Sequence, residues 1–190
     1  MIADLTGMEV AGASLLDEST AAAEAMSMSN RLSKGKRHKY FVDTHVHPQT
    51  LDVILTRAAP IGIEVVVGDI EKDFKPDKSY CGVLVQYPNT TGEICEDMAS
   101  KMKDAKSHGL YITAASDPLS LTLLQPPGEW GADVVVGSAQ RFGVPMFFGG
   151  PHAGFMATKE KFLRQMPGRV IGVSRDAQGN RALRMALATR

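Results

Sequence analysis

The sequence predicts an α/β domain of three layers, with a mostly parallel sheet between helices. Three observations carry this. Short apolar runs rich in β-branched residues, such as Ile63 to Val67 and Val134 to Val136, are too short for helices and read as buried strands. Helical stretches separate them, so strands recur at roughly thirty-residue intervals, the βαβ rhythm of a parallel sheet covered on both faces. The strands that keep this rhythm, those of the first two-thirds of the chain, are too few to close a ring of eight.

Each element has its own reason. The chain opens into a helix end that stops at Gly7. Asp17 is placed to cap an alanine-rich helix that lasts to about Leu32. Tyr40 to Asp43 is a strand, and His45 to Gln49 is its exit loop. A helix from about Gln49 ends at Pro60, and Ile63 to Val67 is the next strand. Cys81 to Tyr87 is a strand that runs into the turn Pro88 to Gly92. A helix is expected over Ile94 to His108 and a strand over Leu110 to Ala114. Asp117-Pro118 opens a short helix to about Leu124, and Pro126-Pro127-Gly128 is a rigid turn. Val134 to Val136 then pairs with a returning apolar run, Val144 to Phe148. Phe155 to Ala157, Val170 to Val173 and Ala182 to Met185 are further strands.

Bulk composition excludes several roles. The 21 basic residues balance the 21 acidic ones, which argues against a nucleic-acid or membrane-surface partner. The two cysteines, Cys81 and Cys95, are too few for a disulfide framework, and a reducing compartment is the default. No apolar run approaches membrane-spanning length, and the first residues have no targeting character. No linker divides residues 1–190, so one domain is expected.

Five places invite a functional reading beside a plain one. Ser19 and Thr20 stand at a helix start, where free N–H groups favour phosphate; the plain reading is an ordinary cap, and Asp17 and Glu18 repel an anion. Asp43-Thr44-His45-Val46-His47 resembles the first-strand motif of metal-dependent amidohydrolases, with His45 and His47 facing one metal. That fold needs further ligands, and downstream only His108 and His152 remain, so loop histidines lining a pocket are the plain reading. Asp117 follows a buried strand, where a carboxylate can hold a protonated ring nitrogen; it also suits a cap. Gly149 and Gly150 let the backbone approach a ligand or simply make a turn. Finally, the loop after Val136 presents Gln140 and Arg141 at a strand's carboxyl end, where ligands sit in open α/β sheets. That tip has the placement of an active site without its chemistry: it carries no nucleophile.

Longer stretches carry a resemblance. Asp4-Leu-Thr-Gly7, Ala13 to Ala25, His47-Pro-Gln-Thr50, Gln86-Tyr-Pro88, Pro126-Pro-Gly-Glu129, Gly137 to Pro145, Gly149-Gly-Pro-His-Ala153, Met166-Pro-Gly-Arg169 and Gly172 to Asp176 resemble the P-protein of the glycine cleavage system. The resemblance implies glycine dehydrogenase (decarboxylating) activity, with pyridoxal 5'-phosphate as cofactor, and an aminotransferase-like large domain of fold type I. It identifies this chain as a truncated part of the family's N-terminal half. The Schiff-base lysine then belongs to the other, catalytic half, fused or separate, and the partners are that half, glycine and the lipoyl H-protein. Ser19, Thr20, His47, Asp117, Gly149 and Gly150 become candidate cofactor contacts, with His45 as the alternative ring-stacking histidine; no catalytic residue is assigned. Alone, the chain is expected to be inactive, and a non-catalytic scaffold is the second reading. The compartment implied is the mitochondrial matrix in a eukaryote and the cytoplasm in a bacterium.

Overall fold

The computed structural model describes residues 1–12 and 14–188; Ala13, within one of the matched stretches, lies outside them. Its centre is a seven-stranded sheet in the order β1-β7-β6-β5-β4-β2-β3. The strands are β1 Val10–Ala11, β2 Lys39–Asp43, β3 Glu64–Gly68, β4 Tyr80–Tyr87, β5 Tyr111–Ser116, β6 Val134–Ser138 and β7 Gly154–Thr158. From β3 to β6 all neighbours run parallel, and β7 is antiparallel to both β6 and β1. Strands buried on both faces need apolar side chains pointing both ways, and the continuous runs Phe41-Val42 and Val83-Leu84-Val85 supply them. This is an open sheet with two antiparallel pairings, so the amidohydrolase barrel alternative is overturned.

Helices cover both faces. On one side lie α2, Glu18–Leu32, and α3, Pro48–Ala58. Buried Ala21, Ala22, Ala23 and Ala25 bring α2 close to β4, β5 and β6. Asp17 caps it by accepting from the Thr20 backbone N–H at 2.6 Å. Buried Met26, Met28, Tyr40, Ile54 and Leu84 fill that layer. On the other side Met98, Met102 and Ala105 of α4, Met98–Ser107, pack with Trp130, Ile112 and Val85. The short α1, Ile2–Thr6, adds to the same face near β7. Each large side chain buried in these two layers contributes about 1.5–3 kcal/mol.

Three expected elements differ. Val144 to Phe148 is no strand: Pro145 lacks an N–H, Phe148 has φ 50°, and Phe147–Gly149 forms a 3-10 turn. The partner taken by β6 is β7 instead. The helix expected from Ile94 begins at Met98, because the Asn89 side chain has tied the preceding loop into a turn. Asp117-Pro118 leads only into a 3-10 turn, Ser120–Thr122. Lys159, paired with Asp133, stands before a 3-10 segment, Glu160–Gln165, that contains Lys161.

The last two strands, β8 Arg169–Arg175 and β9 Arg181–Ala188, leave the sheet as a separate antiparallel ribbon. The Asp176 carboxylate sets its turn by accepting from the N–H groups of Gln178 and Asn180. Among the described residues, no helix is long and apolar enough to cross a membrane.

Candidate active-site cleft

The chain passes from β2 outward to β3, then returns to place β4 on the other side of β2. At such a reversal the loops leaving neighbouring strands diverge and open a crevice at the carboxyl ends. Two clefts open here beside a third, of about 700 Å³, that is lined by Ser19, His47 and Gln140. One, of about 400 Å³, is lined from α2, β4, β5 and β6 by Glu18, Gln86, Ser116, Asp117, Ser138 and Arg141. The other, of about 520 Å³, lies between the exits of β2 and β4, against Asp43, His45, Glu71 and Cys95.

The loops are tied together across the crevice. Thr90 donates its backbone N–H and its hydroxyl to the His45 carbonyl, at 3.0 and 2.8 Å. The same hydroxyl oxygen lies 2.9 Å from His47 Nδ1. Its hydrogen is already given to the carbonyl, so His47 Nδ1 carries the proton and donates. His45 turns the other way, its Nδ1 3.2 Å from buried Asp43 Oδ1, which also accepts the Ile70 N–H. The two imidazoles thus engage different partners instead of converging on one point. Among the described residues, the side chains near enough to share an ion are Glu71, Cys95 and Asp97, without either histidine.

Glu18 leads α2 into the smaller cleft. Burial holds its carboxyl above the usual range, against the pull of His47 and a hydrogen bond from Gln86. Asp117 Oδ1 accepts the Leu119 N–H at 3.0 Å, as the cap reading expects, and Oδ2 lies 3.3 Å from the Arg141 guanidinium. Gln86 Oε1 and Ser116 Oγ are buried with no hydrogen-bond partner, a stored cost that concentrates at binding sites.

The other candidates are not brought into that cleft. The Ser19 hydroxyl meets Thr50 Oγ1 at 3.2 Å, and the Thr20 N–H is spent on Asp17. Gly149 has open space beside it, whereas Gly150 packs on the Gln140 side chain of its own loop. Sequence reasoning missed Glu18, Gln86, Ser116 and Ser138 as cleft residues; all stand at helix starts or strand ends.

These groups do not fit pyridoxal phosphate held by this chain alone. Among the described residues, no lysine lines the smaller cleft. The helix start that would receive a phosphate carries Asp17 and Glu18, and its Thr20 N–H is already given to Asp17. The carboxylate that would face a ring nitrogen is engaged by Arg141.

The family model for the glycine cleavage system P-protein matches residues 1–190. Glycine dehydrogenase (decarboxylating) of Photobacterium profundum is 60% identical over 190 residues, 100% of this chain and 20% of that protein. The one from Nostoc sp. strain PCC 7120 is 56% identical over 100% of this chain and 19% of its own length. The chain therefore spans about a fifth of these relatives. A crystal structure of glycine decarboxylase (P-protein) of the glycine cleavage system, in inhibitor-bound form, superposes with TM-score 0.88 at 38% identity, over 98% of this chain and 43% of that one. Cystathionine gamma-lyase from Lactobacillus plantarum, at 19% identity and TM-score 0.66 over 85% of this chain and 41% of that one, is similar in fold alone.

Proposed function

Because the chain belongs to the glycine cleavage system P-protein family, we propose that it is a supporting part of a pyridoxal-phosphate-dependent glycine dehydrogenase (decarboxylating). In this reading glycine loses carbon dioxide, and the aminomethyl group passes to the lipoyl arm of the H-protein. The cofactor is anchored by a lysine in another, catalytic part of the protein. The compartment follows the same proposal: mitochondrial matrix in a eukaryote, cytoplasm in a bacterium.

One observation carries the supporting role. The smaller cleft has the position of an active site at the carboxyl ends of β4, β5 and β6, yet Gln140 and Arg141 stand at its loop tip and no lysine lines it. Glutamine is not nucleophilic, and arginine stays protonated at working pH, so neither forms a covalent bond to an aldehyde. Asp117 holds Arg141, and Thr90 locks the exits of β2 and β4, giving a fixed surface beside the cleft.

The test is an exchange assay with labelled bicarbonate and glycine, in the presence of pyridoxal phosphate and H-protein. The chain alone is expected to give no exchange above the protein-free control. Saturable exchange lost on denaturation would reject the supporting role.

A further inference from the structure

At the opposite end of the sheet, Asp133 precedes β6 with its side chain almost fully buried. Its Oδ2 accepts the Ile112 N–H at 3.0 Å. Its Oδ1 faces two lysines: Lys159 Nζ at 2.8 Å and Lys106 Nζ, at the end of α4, at 3.4 Å. One carboxylate cannot balance two ammonium groups, and the site is only partly open to water. The electrostatic strain is least when one lysine gives up its proton. Lys159 makes the shorter contact and is also drawn by Glu9, so it keeps its charge. Lys106 is the one whose ammonium is less favoured. Burial, reinforced by Lys159, holds its pKa below the ordinary lysine range, while for Lys159 the hydrogen bond to Asp133 outweighs burial and raises it.

The amine is also reachable. About a third of the Lys106 side chain is exposed, at 34%. Gly131, with φ 112°, lies beside the amine and has no side chain to cover it.

From this geometry we propose that Lys106 is a nucleophilic acylation site for acyl phosphates. The neutral Nζ attacks the carbonyl carbon, a C–N bond forms, and the C–O bond to phosphate breaks. Phosphate leaves with the electron pair, and the amine proton goes to solvent. The neighbouring Lys159 ammonium keeps N–H donors beyond its bond to Asp133 that can meet the developing oxyanion. The amide product carries no charge, and Asp133 stays paired with Lys159. Acylation is thus tolerated at Lys106 and disfavoured at Lys159. The inference is independent of any role in glycine decarboxylation.

The experiment is limited reaction of the 190-residue chain with acetyl phosphate at neutral pH, with acetylated positions quantified by peptide mass spectrometry. Lys106 is expected to label several-fold faster than exposed Lys75 and Lys78. Lys159→Met makes Lys106 the one cation facing Asp133 and should remove that advantage, whereas Lys159→Arg should preserve it. Lys106 labelling no faster than Lys75, or unchanged by Lys159→Met, overturns the proposal. If Lys159→Met fails to fold, the pH profile of the unaltered chain decides. Lys106 labelling must level off at lower pH than Lys75, and parallel profiles overturn the site.

Discussion

Replacing Gly137 with alanine should destabilise the domain strongly, although the change adds a single methyl group. Gly137 is the fourth residue of β6 and aims the loop of Ser138, Gln140 and Arg141 into the cleft. A Cβ there would overlap the Ser116 carbonyl oxygen on β5 and press on the buried Phe155 ring of β7. Neither neighbour is a flexible tip. The β5–β6 pairing runs from Thr113↔Val134 to Ala115↔Val136 and ends just before Gly137, so the strain falls on its open end. Splaying that end to make room weakens about one ladder hydrogen bond, at roughly 1 kcal/mol. Displacing Phe155 adds the cost of overpacking, about 1–3 kcal/mol. The sum, about 2–4 kcal/mol, corresponds to a melting temperature lower by on the order of 10 °C for a chain of this size. Urea denaturation followed by circular dichroism measures it. A loss under about 0.5 kcal/mol, the range of ordinary surface changes, would refute the close-approach reasoning.

Three further outcomes follow from buried groups. Glu18→Gln should stabilise the chain at neutral pH: a carboxyl raised in the folded state contributes stability below its unfolded value of 4.5 that is lost as pH rises through the folded value. The variant escapes that loss, so its advantage in denaturation midpoint should appear above pH 4.5 and vanish below it; a constant offset at all pH values contradicts this. Tyr40→Phe removes a buried hydroxyl that donates to Thr113 Oγ1 at 3.1 Å and should cost about 1–2 kcal/mol by denaturant titration, with no loss speaking against the bond. Burial pushes the Cys81 and Cys95 thiols up to about 12, so both should react slowly with a disulfide reagent at pH 8 and rapidly in urea. Reaction of either within mixing time in the native chain is the contrary result.

Much of the sheet is legible in the sequence because it is buried on both faces. Val65-Val66-Val67 and Val134-Val135-Val136 announce strands without knowledge of their neighbours, and Asp17 announces α2 by its cap. Val144 to Phe148 misleads for the same reason: apolar content alone does not say whether a neighbour exists to bury it, and Phe148 stands fully exposed. The cleft is less legible. Glu18, Gln86, Ser116 and Arg141 are far apart in the chain and meet because β6, β5 and β4 are adjacent, an order that no local pattern encodes. Ser19 and Thr20 show the converse. Their residue types suit a phosphate, but Thr50 and Asp17 already engage them.

The central claim, that this cleft has the placement of a cofactor site without its covalent anchor, is tested most directly by reductive trapping. The chain is incubated with pyridoxal phosphate, reduced with borohydride, digested and mapped by mass spectrometry. Partial labelling of Lys106, at the opposite end of the sheet, and scattered substoichiometric pyridoxyl labels on other lysines are predicted, none in the cleft and all unchanged when glycine is added. Stoichiometric labelling of one lysine, accompanied by release of carbon dioxide from glycine, would contradict the account.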